Sequence, residues 1–144
     1  MGRLLAIDYG SKKTGLAVSD PLQIAVSPLA TVPTGDLLGY LATYLEQEPV
    51  ERFIIGDPRH KDGTPVTIHQ EIVGLGRKLA RSYPHIPQTM QDEFGTSQEA
   101  REMIRNLGVS RKKRRDKQLV DRVAAVLILR AYLDEQHPFS PPIT

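Results

Sequence analysis

The sequence contains no cysteine. A disulfide and a thiolate metal site are therefore both excluded. No apolar run approaches the ~20 residues needed to cross a bilayer, and the N-terminus lacks the charged, apolar and cleavable layout of a signal peptide. These absences favour a cytoplasmic protein that has no membrane partner.

Length and composition are ordinary for a soluble globular protein. The 144 residues are 40% hydrophobic and 25% charged, which fits one domain that is long enough to bury a core. No internal repeat or linker precedes the proline-containing tail. We expect a single domain over residues 1–138, a short tail over 139–144, and a monomer or weak homodimer.

Positive charge is concentrated in one short segment. Residues 110–117 read SRKKRRDK and carry +5, which leaves −3 for the rest of a chain whose net charge is +2. A basic run of this kind favours a polyanion partner such as nucleic acid, although a solvated surface loop is the alternative. The candidate phosphate contacts in this segment are Arg111, Lys112, Lys113, Arg114, Arg115 and Lys117.

The hydrophobic pattern predicts an α/β protein. Three strands come first, and helices then alternate with two further strands. The predicted strands cover residues 3–9, 14–19, 24–32, 52–56 and 87–92, and the predicted helices cover residues 36–48, 64–82, 96–108 and 117–136. Because a strand that follows a helix favours a parallel crossover, we expect a mixed central sheet of about five strands flanked by helices. The ribonuclease H-like fold has this layout.

Single residues mark the edges and ends of these elements. Pro28 within the third strand predicts an edge strand or a bulge, because proline has no amide hydrogen to donate. Asp36 is a candidate N-cap of the first helix, and Thr64 followed by Pro65 is typical of the start of the second. The apolar positions of the first helix are Leu37, Leu38, Leu41, Tyr44 and Leu45.

Asp8 follows the apolar residues 4–7 at the end of the first predicted strand. A carboxylate in that position must be solvated, paired or bound to a cation, because burying it alone is costly. Gly10 permits a tight turn and leaves room beside the carboxylate for a phosphate or a metal ion. The alternative is that Asp8 only caps its own turn.

Two later positions offer further carboxylates. Asp92 and Glu93 lie where the last predicted strand ends and before the next predicted helix, where the helix dipole alone also favours acidic residues. Asp121 lies one turn into the most apolar helix, and two alanines follow it, which allow that helix to approach the sheet closely. A structural pair with Lys117, four residues earlier, is the alternative for Asp121.

Three carboxylates at one edge of a sheet would form a cation site made only of oxygen ligands. Hard ions such as Mg²⁺ or Mn²⁺ prefer such ligands, and two of them ~3.5–4 Å apart can activate a water for phosphodiester hydrolysis. The basic segment directly precedes the Asp121 helix, where it would hold a nucleic-acid backbone. Further candidate phosphate contacts are Lys12 and Lys13 in the hairpin turn and Arg59 and Lys61 in the loop over 56–64.

Four stretches of the chain resemble the YqgF family, also called RuvX and described as Holliday junction resolvases and pre-16S rRNA nucleases. They read LLAIDYGSKKTGLAVSD, FIIGDPRHKDGT, DEFGTSQEA and KQLVDRVAAVLILRAYL, and together they run from about Arg3 to Gln136. The resemblance implies a ribonuclease H-like fold and a Mg²⁺- or Mn²⁺-dependent nuclease with one or two ions. It implies that Asp8, Glu93 and Asp121 are the catalytic, metal-binding carboxylates.

The resemblance also implies a substrate and a compartment. The expected reaction is 5′-end maturation of precursor 16S rRNA in the bacterial cytoplasm, and cleavage of branched DNA is the alternative. This sequence departs from the family at Asp57, where leucine is usual, and at Phe94 and Gly95, where arginine and leucine are usual.

Two other function classes share features with this sequence. The stretch DYGSKKTG is similar to the first phosphate-binding hairpin of the actin, sugar kinase and Hsp70 ATPases, but those proteins need two such domains and this length supplies one. A non-catalytic RNA-binding module for ribosome assembly would use the basic segment and keep the acids for structure. Loss of cleavage with retained RNA binding on replacement of Asp8 would separate an enzyme from that module.

Overall fold

The computed structural model describes residues 2–58, 66–92 and 117–136, with side chains from residue 123 onward in the last segment. Five strands and three α-helices lie in these ranges. The strands are β1 (Arg3–Asp8), β2 (Lys13–Ser19), β3 (Val26–Pro33), β4 (Val50–Asp57) and β5 (Gln88–Asp92). The helices are α1 (Leu37–Gln47), α2 (Val66–Ser82) and α3 (Lys117–Gln136), and a 3₁₀ turn over Thr34–Asp36 precedes α1.

The five strands form one mixed sheet in the order β3-β2-β1-β4-β5. The strands β1, β2 and β3 pair antiparallel, as hairpins do. The strands β1, β4 and β5 pair parallel. The chain passes through β2, β3 and α1 between β1 and β4, and through α2 between β4 and β5. The predicted five-stranded mixed sheet is confirmed.

Strand β3 is an edge strand of this sheet, and it also contains a bulge. Its register against β2 shifts, because Leu16 pairs with Ala30 whereas Ala17 pairs with Pro28. Leu29 is therefore an extra residue beside the proline, which has no amide hydrogen for the ladder. The sequence offered an edge strand or a bulge, and the structure has both.

The strand β3 begins at Val26, two residues later than predicted, because residues 20–25 form the hairpin turn. The Asp20 carboxylate accepts hydrogen bonds from the amides of Ile24 and Ala25 at 2.7 and 3.0 Å. Gln23 has a φ of 60°, in the left-handed region. These side-chain bonds to the backbone compete with strand pairing at this point.

Two predictions about α1 are corrected by the structure. Asp36 occupies the N-cap position, but its side chain makes no capping hydrogen bond. It still belongs to the 3₁₀ turn, and its backbone (φ −99°, ψ 0°) is not the extended one typical of a side-chain cap. Leu38 is 40% exposed, so it does not belong to the buried face that contains Leu37 and Leu41.

Alternate residues of the sheet pack into two separate apolar clusters. One cluster contains Leu5, Ile7, Phe53 and Ile55 with buried residues of α1 and α2. The other contains Leu4, Ala6, Ala17 and Ile54 with Ala125, Ile128, Leu129 and Leu133 of α3. The period of two along a strand therefore assigns each side chain either to the α1/α2 face or to the α3 face.

Small residues line the contact between α3 and the sheet. Ala6, Ala17 and Ala125 are completely buried, and Ala124 is 3% exposed. This confirms that the apolar helix packs against the sheet through its alanines. In the described part of the chain, no helix is both long and apolar enough to cross a membrane.

Several predicted features lie outside the described residues. They are the N-cap pair Thr64 and Pro65, the helix over 96–108, the basic loop over 109–116 and the tail over 139–144.

Candidate active site at the carboxyl ends of the parallel strands

Each of the three parallel strands ends in an aspartate. Asp8 ends β1, Asp57 ends β4 and Asp92 ends β5. Asp57 and Asp92 pair directly in the register of β4 and β5. All three residues lie at one edge of the sheet, as carboxyl ends of parallel strands must.

The alternation of the strands divides these three acids between the two faces of the sheet. Asp8 shares its parity with Leu4 and Ala6, which pack against α3. Asp57 lies instead with residues of α2, where it lines a cavity of about 860 Å³ between that helix and β5.

Two glutamines fix the orientation of β5. The Gln88 side chain donates to the Gly76 carbonyl of α2 at 2.8 Å, whereas Gln91 donates to the Glu135 carboxylate of α3 at 3.0 Å. Asp92 has the parity of Gln88 and falls on the α2 face. Among the three described aspartates at this edge, Asp8 is thus the one on the α3 face.

Asp57 lies at this edge in the position where leucine is usual in the family. It is only 7% exposed, so it is not a solvated surface acid. Its parity with Phe53 and Ile55 places it on the face opposite Asp8. Asp57 is therefore not an additional ligand beside Asp8 on one face.

Glycines stand beside Asp8 on both neighbouring strands. Gly15 of β2 is its register partner, and Gly56 of β4 follows Ile55, the partner of Ile7. Directly opposed residues share a face, so neither neighbouring strand places a side chain next to the Asp8 carboxylate. Spacing along the sequence could not reveal this pair of glycines, because it emerges only from the register of three strands.

The turn after Asp8 is too tight for a side chain at Gly10. A Cβ on Gly10 would overlap the carbonyl oxygen of Lys13, so this position requires glycine. Lys12 and Lys13 are exposed in the same turn. Two of the predicted phosphate contacts thus lie within five residues of Asp8.

Tyr9 links this turn to α2. Its ring packs against the α1/α2 cluster, and its hydroxyl is hydrogen bonded to the Glu71 carboxylate. Burial raises the pKa of the Tyr9 phenol above its usual value, and the charge of Glu71 and the hydrogen bond to it raise this pKa further. The neutral phenol is therefore the donor at ordinary pH.

The other predicted site residues are not placed by the described structure. Asp121 and Lys117 lie on α3, but their side chains are outside the described part. Within the described side chains, no group of three His, Asp or Glu residues is arranged to hold a metal ion. Outside the described residues lie Glu93, Arg59, Lys61, Arg111, Lys112, Lys113, Arg114 and Arg115.

Comparison with solved structures shows a shared fold. RuvC of Thermus thermophilus, solved in complex with a Holliday junction substrate, matches with a TM-score of 0.58 over 94% of this chain and 96% of RuvC. A second RuvC structure from Thermus thermophilus gives a TM-score of 0.59 over 93% of this chain and 96% of that chain. The identities are 18% and 17%, so the likeness concerns the fold alone. The predicted ribonuclease H-like fold is confirmed.

Comparison with curated sequences shows closer relatives. A protein of Porphyromonas gingivalis is 51% identical over 134 residues, which are 93% of this chain and 97% of the relative. One of Parabacteroides distasonis is 41% identical over 136 residues, 94% of this chain and 97% of the relative. Both carry the name "Putative pre-16S rRNA nuclease". A profile of the RuvX family, described as Holliday junction resolvase, matches residues 2–135, and the chain therefore belongs to the RuvX family.

Proposed function

We propose that this protein is a metal-dependent nuclease that hydrolyses phosphodiester bonds during 5′-end maturation of precursor 16S rRNA. The carrying observation is Asp8, which ends a central parallel strand between two glycines on the face covered by α3. The names of the curated relatives supply the RNA substrate. The proposal includes the bacterial cytoplasm as the compartment and a monomer or weak homodimer as the acting species.

Asp8, Glu93 and Asp121 are the proposed ligands of the ion. Glu93 is chosen because the resemblance to the family implies it, and Asp92, the other acid of that motif, has the parity of the α2 face. Carboxylate oxygens suit Mg²⁺ or Mn²⁺. When bound, such an ion supplies Lewis acidity and lowers the pKa of water.

The basic residues have a separate role in this proposal, which is to bind and orient the RNA. Lys12 and Lys13 neutralise phosphates beside Asp8, and the basic segment holds the backbone farther along. Positioning of this kind turns the attack on phosphorus into a step within one complex. The proposed contacts are Lys12, Lys13, Arg59, Lys61, Arg111, Lys112, Lys113, Arg114, Arg115 and Lys117.

Cleavage of 5′-extended 16S precursor RNA, with Mn²⁺ or Mg²⁺ and with chelator, tests this function. Removal of a group that only supports a metal ligand costs about 10–100-fold in metal affinity or activity. Asp8 is itself a proposed ligand, so Asp8→Asn should slow cleavage by at least about 100-fold. Asp92→Asn is the matched control, since it removes a carboxylate at the same edge but on the other face. It should leave the rate within a factor of about two.

Two results would contradict the proposal. Cleavage by Asp8→Asn at the wild-type rate would remove Asp8 from the chemistry. Absence of any cleavage, with undiminished RNA binding in wild type and variant, would identify a non-catalytic module for ribosome assembly.

Branched DNA is the second candidate substrate. The family is described as Holliday junction resolvase, and the RuvC fold was solved on such a junction. A four-way DNA junction assayed beside the RNA decides between them. Faster cleavage of the junction, lost in Asp8→Asn, would keep the nuclease and replace its substrate.

A further inference from the structure

A chain of hydroxyl hydrogen bonds ties the turn between β1 and β2 to the segment that leads into α1. Thr34 opens the 3₁₀ turn before α1, and its hydroxyl donates to the Gly10 carbonyl at 2.6 Å. Its amide donates to the Lys12 carbonyl at 2.8 Å. One residue thus holds two carbonyls of the turn that carries Lys12 and Lys13.

The direction of the remaining bond follows from the number of hydrogens. The hydroxyls of Thr14 and Thr34 lie 2.9 Å apart. A carbonyl only accepts, so the single hydroxyl hydrogen of Thr34 is used on Gly10 and Thr14 must donate to Thr34. Thr14 is completely buried, which leaves its hydroxyl no solvent as an alternative partner.

The opposite side of the turn is anchored independently. Tyr9 is hydrogen bonded to Glu71 of α2 and packs against the α1/α2 cluster. Gly10 has no room for a side chain beside Lys13. The backbone from Asp8 to Lys13 is therefore held at both ends and tightly turned between them.

We propose that Thr34 is a positioning residue that sets Lys12 and Lys13 at a fixed distance from Asp8. This inference rests on the proposed function, because the phosphate that the lysines meet is the one at the Asp8 site. Lysine is a flexible point charge, so its placement depends on the backbone that carries it. Thr34 does not touch the RNA in this proposal, and it acts through the carbonyls of Gly10 and Lys12.

The test uses Thr34→Val, which has the same shape but lacks the hydroxyl, and Thr34→Ser, which restores it. Since small displacements at a reacting centre cost up to about 100-fold, Thr34→Val should slow cleavage of 5′-extended 16S precursor RNA by about tenfold. Thr34→Ser should recover most of the rate. Rates are compared at a temperature where circular dichroism shows every variant to be folded.

A double-mutant cycle with Lys12→Gln/Lys13→Gln separates positioning from general stability. If Thr34 acts through the lysines, Thr34→Val should add little to the loss already caused by the lysine replacements. A full, independent tenfold loss in that background would overturn the proposal, as would a wild-type rate in Thr34→Val alone.

RNA affinity read in the same cycle keeps this inference separate from the nuclease itself. Each exposed contact between a lysine and a phosphate contributes little to the free energy of binding. Thr34→Val should therefore weaken RNA binding by only about threefold when the lysines are present. It should not weaken binding without them. Binding without any cleavage would contradict the proposed nuclease, but the affinities would still test Thr34. The role of Thr34 would be refuted if Thr34→Val left the affinity unchanged, or if its effect and that of the lysine replacements were additive.

Discussion

Overpacking at Ala125 tests how closely α3 is seated on the sheet. Ala125 is completely buried and shares a cluster with Ala6 and Ala17, which are also completely buried. Leucine adds three carbon atoms to a cluster that contains three completely buried alanines, and such insertions cost about 1–3 kcal/mol. For a chain of this size each kcal/mol shifts the melting temperature by about 2–4 °C, so Ala125→Leu should lower it by about 2–12 °C.

Thermal unfolding followed by calorimetry measures this shift, and Ala42→Leu is the control. Ala42 is exposed on α1, and alanine and leucine have similar helix propensities, so the control should remain near the wild-type value. Because Asp121 lies one turn before Ala125 on the same helix, Ala125→Leu should also slow cleavage while the protein is still folded. Equal melting temperatures for the two variants would refute the close approach of α3.

Two further predictions concern the turn after Asp8. Gly10→Ala should destabilise the protein and slow cleavage, because the new Cβ would overlap the Lys13 carbonyl. Gly74→Ala in α2, whose Cβ meets no atom within 4 Å, should instead add about 0.5–1 kcal/mol to the free energy of unfolding. Urea denaturation measures both changes, and stability changes of the same sign would contradict the prediction. The raised pKa of Tyr9 means that its neutral phenol contributes stability that is complete below pH 10.0 and lost as the pH rises through the folded-state pKa. Glu71→Gln should lower the pKa of Tyr9, but not to its usual value, because burial is the larger cause of the shift. Tyrosinate absorbance, with Tyr9→Phe as the reference, measures this pKa. An unchanged pKa in Glu71→Gln would contradict the contact between Tyr9 and Glu71.

The order and type of the elements could be predicted from the sequence because local patterns determine them. The strand β1 is a continuous apolar run between two neighbouring strands, and α3 packs Ala125, Ile128, Leu129 and Leu133 against the sheet. Pro28 predicted an edge strand because proline has no amide hydrogen to donate to a neighbouring strand. Each of these signals is written in consecutive residues.

The strand β5 has a polar sequence, and the structure explains how it pairs in the sheet. Gln88 and Gln91 point to opposite faces, and each is satisfied by a helix, through the Gly76 carbonyl and the Glu135 carboxylate. A buried polar side chain such as Gln91 is stable in a strand when it has such a partner. Those partners lie 12 and 44 residues away along the chain, so a local sequence pattern could not predict them.

The candidate site depends on which face of the sheet each acidic side chain lies on. Successive side chains of a strand lie on opposite faces of the sheet, so a shift of one residue along a strand moves every side chain to the other face. Asp92 and Glu93 are equivalent in composition and adjacent in sequence, yet the bond from Gln91 to α3 assigns Asp92 to the face opposite Asp8. Composition and spacing did not distinguish the two acids, and only the resemblance to the family selected Glu93. The register of β5 separates Asp92 from Asp8 across the sheet, which no pattern of consecutive residues could show.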